Sequence, residues 1–444
     1  MAGGLDRTIQ RWPRLVATLA LAIGCVRQAP LFAAAATPEP AAWRITIEAG
    51  AEDRSNLPIR SPLLVPERLI DADVRILLAD GSQVAGQLVE PALLSAARGP
   101  TPAGEVHRDL VFVLPSLPAA AVVEVTANLA SAPPAAGPLP RLCWTAEPAA
   151  ACLLLGGKPL VRYEMPAYDA SEEARRVASF KPFHHVFDPV TGIRLTKGDG
   201  GQYPHHRGIF FGYNRISHGP GKGTRSDCWH CPGKERQEHR ETLVESAGPV
   251  AGVQRTAIDW VGSDGEPILR ETRELDVVPV PRGTVIDFAS RLEADVPVGL
   301  DGDPQHSGVH FRASNEVYES TKGQTYYLRP DGKAAAGDYR NWPQDKTYVN
   351  APWHAASFVV GGQRYTVLRA NRPANPGEAR MSERDYARFG SYFAHDLEPG
   401  RPLEVGYRFW VQPGEMTVEE AARIAADYAR PPQVKVGPAK PVTR

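Results

Sequence analysis

The chain has 444 residues, and Lys+Arg 50 against Asp+Glu 51 leave a formal charge of -1. That balance creates no global field for nucleic acid or for an anionic membrane surface. Gly 40 and Pro 42 are both high and 43% of residues are hydrophobic, which suits a loop-rich β protein of two domains with a sizeable core.

Arg7, Arg11 and Arg14 precede the apolar run Leu15 to Ile23, and Ala33 to Ala36 offer small-residue cleavage sites. This is the pattern of an export signal, so residues 1–36 are set apart from the fold and the mature protein is expected in the periplasm or secreted. Ala22-Ile23-Gly24-Cys25 resembles a lipobox poorly, with Ala where Leu is usual, so a lipid anchor ranks below soluble export. No later run reaches the ~18 apolar residues needed to span a bilayer as a helix.

From Trp43 onward short strands alternate with turns. Trp43 to Ile47, Asp73 to Leu78, Leu110 to Leu114 and Ala121 to Val125 argue for an antiparallel sandwich over residues 37–157. The low-complexity run Ser131 to Pro138 reads as a linker, and the domain boundary falls between it and Lys158. A second, larger set of strands fills residues 158–430, interrupted by a polar loop from Arg215 to Lys234. Thr417-Val418-Glu419-Glu420 is a capping box that opens one C-terminal helix, and Pro431-Pro432 ends it. Residues 431–444 read as a tail.

Four cysteines follow the leader: Cys143, Cys152, Cys228 and Cys231. Cys143 and Cys152 flank a turn and could close a hairpin. Cys228-Trp229-His230-Cys231 has redox or zinc spacing, but with no second such pair it is read as a local disulfide or two free thiols.

Three stretches could carry chemistry. In the first, the turn-rich Gly200 to Pro204 ends in His205, His206 and Arg207, and the apolar run Ile209 to Tyr213 then reads as a strand covered on both faces. A strand end is a rigid place to hold reactive groups. In the second, Gln305 to Arg312, a period of two puts His306, Gly308, His310 and Arg312 on one face, with the glycine leaving room for a ligand. In the third, Met381 to Gly390, Arg384 and Arg388 could pair with carboxylates of a ligand or of the protein.

Two chemistries are open. Histidines backed by Asp227 could act as general base and acid. Alternatively His205 or His206 could join His306 and His310 around one divalent metal ion. No phosphate loop, dinucleotide fingerprint, H-E-x-x-H or G-x-S-x-G occurs. Aromatic residues in loop-like segments, Tyr203 and Trp229 among them, offer flat faces of the kind a sugar ring stacks on.

The run Tyr203 to Gly212, followed by Asp227-Cys228-Trp229, resembles the signature of the PmoA-like family of exported bacterial proteins, often labelled methane oxygenase PmoA and otherwise of unknown function. Arg372 to Pro376 with Ser382, Arg384, Tyr386, Phe389 and Gly390 resembles a second block of that family, and Gly156-Gly157-Lys158-Pro159 before Arg162-Tyr163 also fits. The likeness is clearest from Lys158 to Tyr428; Cys231 departs from it. A membrane-bound oxygenase subunit needs transmembrane helices, so that activity is set aside. What the resemblance implies is a mainly β protein: an immunoglobulin-like front sandwich and a larger, mutarotase-like antiparallel sandwich behind it.

Together these readings predict an exported carbohydrate-active protein, a glycoside hydrolase or lyase. The catalytic set is His205, His206, Arg207, Asp227, His306 and His310, with Tyr203, Trp229, Arg312, Arg384 and Tyr386 binding a carbohydrate or other small ligand. The alternatives are a sugar-binding protein without turnover and a structural cell-surface protein.

Overall fold

Alternation shapes the front of the chain. In the strand Ala41–Glu48, Trp43, Ile45 and Ile47 point into a core while Arg44, Thr46 and Glu48 face outward. The protein is described here by a computed structural model covering residues 41–130, 141–303 and 305–441. The leader, Cys25 and the linker run 131–138 lie outside the described residues.

The front strands form one eight-stranded antiparallel sheet around their own core, which includes Ile45, Ile59, Ile76, Phe112 and Leu129. The strand Arg54–Pro66 was not foreseen, because it contains Pro58 and Pro62. It closes one edge of the sheet, where a missing N–H is tolerated. The expected tail is a correction: Gln433–Val436 adds to the sheet on the other edge, with Ile45 opposite Val436.

Behind it, two further antiparallel sheets pack face to face. One has eight strands, and its middle is Arg388–Tyr392, Ser307–Arg312, Ile209–Tyr213 and Phe183–Val186. The hairpin formed by Leu142–Glu147 and Ala150–Leu155 belongs to this sheet, so the change of sheet comes between residues 130 and 142. The other sheet has nine strands and includes Pro267–Val280, Gly283–Glu293 and Leu403–Pro413.

Period two decides which residues fill the space between the sheets. Ile209, Phe211, Tyr213, Val309 and Phe311 point inward against Trp260, Leu275, Ile286 and Phe288. The Phe211 and Trp260 rings lie 5.1 Å apart. Phe210 and His310 point the other way, onto the outer face of the eight-stranded sheet. There Phe210 joins Phe183 and Trp229 in a small separate cluster.

The helix Val418–Ala429 begins as expected, with the Thr417 hydroxyl accepting from the Glu420 N–H at 3.1 Å. Glu420 itself pairs with Arg282 at 3.0 Å. A short helix, Glu173–Ser179, was not anticipated. The expected loop 215–234 contains the strands Arg215–His218 and Thr224–Ser226, which join a small four-stranded sheet. All four cysteines described are free thiols. Cys143 faces Leu154 and Cys152 faces Thr145, so the hairpin does not set the two thiols opposite each other.

Candidate functional site

The outer face of the eight-stranded sheet brings the first two predicted clusters together, and the third meets them through Tyr386 and Arg388. Strand Ile209–Tyr213 runs antiparallel to Ser307–Arg312, placing Phe210 beside His310. Arg388–Tyr392 flanks the other side, with Arg312 opposite Arg388. Gly308 is needed by the backbone: its φ is +92°, and a Cβ there would lie 2.0 Å from the Ser391 carbonyl oxygen. The room expected for a ligand at Gly308 is thus taken by the neighbouring strand.

Two loops complete the site, and each delivers a histidine on a carboxylate. Asp227 accepts from the N–H groups of Trp229 and His230 at 2.9 and 2.8 Å, and its second oxygen meets His230 Nδ1 at 2.8 Å. Asp303 accepts from the Gln305 N–H at 3.0 Å and meets His306 Nδ1 at 2.7 Å, while Asn214 donates to its other oxygen at 2.7 Å. Burial works to raise the Asp303 pKa, but these hydrogen bonds and the nearby His306 outweigh it and hold the carboxyl well below its usual range. An ionised carboxylate only accepts, so each imidazole carries a proton on Nδ1, and in its neutral form Nε2 is the lone-pair nitrogen.

The two dyads are neighbours. The His230 and His306 rings are 4.8 Å apart, and His205 lies 4.5 Å from His230 and 6.4 Å from His306. The side chains of His230 and His306 stay 33% and 29% exposed, so a ligand can reach them. Beneath them the floor is closed. His206 is buried 4.3 Å from His205, and Trp229 packs edge-on against His206 and His310. Burial, followed by the charge of nearby groups, pulls the His205 pKa down to about 2 and those of His206 and His310 well below the usual imidazole value. These three rings are neutral, and His205 Nε2 and both nitrogens of His206 have no protein partner.

Several expectations need correction. Arg207 is fully buried and turns away from the histidines. It donates to the carbonyls of Pro204, Ala178 and Val177, holding the C-terminal end of helix Glu173–Ser179, and stacks 4.2 Å from the Phe180 ring. His310 is closed on both sides, because Arg388 donates to its Nδ1 at 3.1 Å and its Nε2 faces the Ser307 carbonyl at 2.9 Å. That removes His310 as a metal ligand or as an acid–base group. Among the described residues, no three His, Cys, Asp or Glu side chains come together as a metal site. The set His205, His206, His306 and His310 therefore does not fit one ion.

The binding residues divide in the same way. Trp229 is fully buried and offers no face to a ligand, whereas Tyr203 is 40% exposed, 6.1 Å from His205 and 5.9 Å from Tyr386. Arg312 lies under the Tyr386 ring at 4.4 Å. Arg384 donates to the Glu383 carbonyl and lies 5.8 Å from the Tyr339 ring, away from the histidines.

The family model titled Family of unknown function (DUF6807) matches residues 150–426. The chain belongs to this family. The matched stretch holds every residue of the histidine site and leaves out the strands of residues 41–130. No curated protein matches.

Among solved structures, the chain is similar to a protein in the glycosyl hydrolase family 38 from Enterococcus faecalis, at 10% identity and TM-score 0.43, covering 89% of this chain and 47% of that one. It is also similar to an alpha-mannosidase from Enterococcus faecalis V583, at 8% identity and TM-score 0.44, covering 89% and 46%. A galactose mutarotase related enzyme from Lactobacillus acidophilus matches at 10% identity and TM-score 0.26, covering 63% and 99%. The chain spans about half the length of the first two. Likenesses of this size assign neither a site nor a substrate.

A cleft of about 820 Å³ lies elsewhere, between the front sheet and the nine-stranded sheet. Its charged side chains are largely tied to one another: Arg60 pairs with Asp109 at 2.7 Å and also with Asp276, and Arg408 pairs with Asp287 at 2.7 Å. Such pairs join two parts of a protein. The histidine site differs, because His205 Nε2 and both nitrogens of His206 lack protein partners.

Proposed function

We propose that this chain is an acid–base enzyme acting on a carbohydrate, breaking a glycosidic bond by hydrolysis or by elimination. The observation that carries the reading is the pair of histidine–aspartate dyads with rings 4.8 Å apart. An imidazole backed by a carboxylate can take a proton at Nε2 and give it back near neutral pH, with the carboxylate stabilising the charged form. Two such groups side by side supply a base and an acid to one bond. The exposed Tyr203 ring offers an apolar face to the sugar.

Tyr203 adopts a left-handed φ of 55°, a conformation that costs a tyrosine backbone energy and is maintained where the loop places the ring beside His205 and His206. Export belongs to the same proposal, on Arg7, Arg11, Arg14 and the apolar run after them. So does kinship with the PmoA-like proteins, on the motif from Tyr203 to Gly212. No helix among the described residues is long and apolar enough to cross a membrane.

The test is a screen of polysaccharides for new chain ends, run with wild type and His230→Gln. The expected result is cleavage by wild type and a loss of at least roughly a hundredfold in the variant, with melting temperature kept. Binding without cleavage by the wild type would instead make this a sugar-binding protein.

A further inference from the structure

Beneath the two dyads lies a layer of buried cations that no carboxylate pairs with. Lys181 donates to the carbonyls of Cys228 and Trp229, and Lys197 to those of Gly198 and His206. Arg207 donates to three carbonyls and Arg312 to those of Ala313 and Tyr386. Arg388 donates to the Gln305 carbonyl, His310 and the Ser382 hydroxyl. Every acceptor is neutral. All five side chains belong to buried residues, and Arg312 Nε and Nη2 and Arg388 Nε have no partner.

Charge buried without a counter-charge is costly, so it is retained where something else answers it. Burial pulls the Lys197 pKa down to about 7 and those of Arg207, Arg312 and Arg388 to about 10. The carboxylates of the site, Asp227 and Asp303, are both engaged by their own histidines. Asp199, near Lys197 in sequence, is exposed and makes no direct ion pair with Lys197 or Arg207, though its charge favours the protonated form of both. Cations thus outnumber the carboxylates beneath the dyads, with Asp199 and Asp385 offsetting part of the charge of Lys197, Arg207 and Arg312, and the field at the site is positive.

We propose that the ligand of this site is an anionic sugar, a uronic acid residue within a polysaccharide, and that the bond breaks by β-elimination. This rests on the acid–base reading above. The sugar carboxylate acidifies the C–H on the adjacent ring carbon. One dyad imidazole removes that proton, the C–H electron pair becomes a C=C bond to the next carbon, and that carbon's bond to the glycosidic oxygen breaks. The leaving oxygen takes the Nε2 proton of the other imidazole, which enters the step protonated on both nitrogens against its carboxylate and leaves it neutral, so the two rings exchange states. No water is consumed and nothing is oxidised or reduced. The negative charge that builds on the carboxylate in the transition state is what the buried cations stabilise.

The experiment uses polygalacturonate and alginate, each beside its carboxyl-reduced, neutral counterpart. Affinity is read by calorimetry and elimination by the ultraviolet absorbance of the unsaturated product. The uronate form is expected to bind about tenfold or more tighter than its neutral counterpart, with the gap closing as salt rises, and to yield the absorbing product. Lys197→Met, which removes a buried charge at similar side-chain length, should narrow the gap between the uronate and neutral forms several-fold. Equal binding and cleavage of the neutral forms would overturn the anionic ligand and leave the acid–base reading standing. Tighter uronate binding with no cleavage of any kind would uphold the charge inference and sink the acid–base reading. Failure of every uronate form to bind would overturn the proposal.

Discussion

Replacing His306 by glutamine should cut turnover by roughly 10²- to 10⁴-fold while the protein stays folded. The ring is partly exposed, so glutamine fills much of its space without opening the core. What disappears is the Nε2 lone pair whose direction Asp303 fixes through Nδ1. Asp303→Asn should lose roughly a hundredfold or more, because the amide can donate to Nδ1 and move the imidazole proton to the wrong nitrogen. The same substitution has a stability signature. The Asp303 carboxyl titrates lower in the folded chain than its unfolded value of about 3.9, so its contribution is complete above that pH and is lost as pH falls. The asparagine variant should therefore show a flatter acid limb in denaturation. Unchanged kcat in His306→Gln, measured on a substrate that the wild type cleaves, would remove His306 from the chemistry.

The second large effect is expected at Gly208, between Arg207 and the core strand. Its φ is +40°, and a Cβ built there would lie 2.0 Å from the His184 carbonyl oxygen. The obstacle is backbone of the neighbouring strand, which cannot swing aside as a side chain could. Gly208 is also tied at both ends, its N–H to the Lys197 carbonyl at 2.9 Å and its carbonyl to the Arg312 N–H at 2.8 Å. Gly208→Ala should cost about 3 kcal/mol or more and displace the His205–His206 loop, so activity should fall even in the folded fraction. Urea denaturation and activity at low temperature check both. A stability within about 0.5 kcal/mol of wild type would show that the loop yields easily.

Much of this arrangement could be read from residue order. The run Ile209 to Tyr213 is buried on both faces, as its composition implied, and period two put His310 and Arg312 on the outer face. The capping signal at Thr417 was correct for the same local reason. Asp227 does orient a histidine. The histidine is His230, three residues on, and its counterpart is Asp303 with His306. A signal for both existed: Asp-x-x-His occurs at residues 227–230 and 303–306, a spacing that lets one carboxylate bind nearby N–H groups and the ring of the fourth residue together.

What could not be read is direction and depth. Arg207 adjoins two site histidines in sequence yet points backward, because helix Glu173–Ser179, about thirty residues earlier, presents its free carbonyls there. Trp229 reads in sequence as a sugar platform and is instead buried with Phe183 and Phe210 beneath the histidines. The pairing of 433–436 with the first strand joins residues nearly the whole chain apart, and no local pattern announces it.

The most direct test is a structure of His230→Gln with a bound oligosaccharide of the substrate found by the screen. The expected complex has a glycosidic bond seated over His205, with His306 Nε2 within about 3 Å of a substrate atom and Tyr203 against a ring face. A sugar bound instead in the cleft lined by Arg60, Asp276 and Arg408, with the histidines untouched, would contradict it.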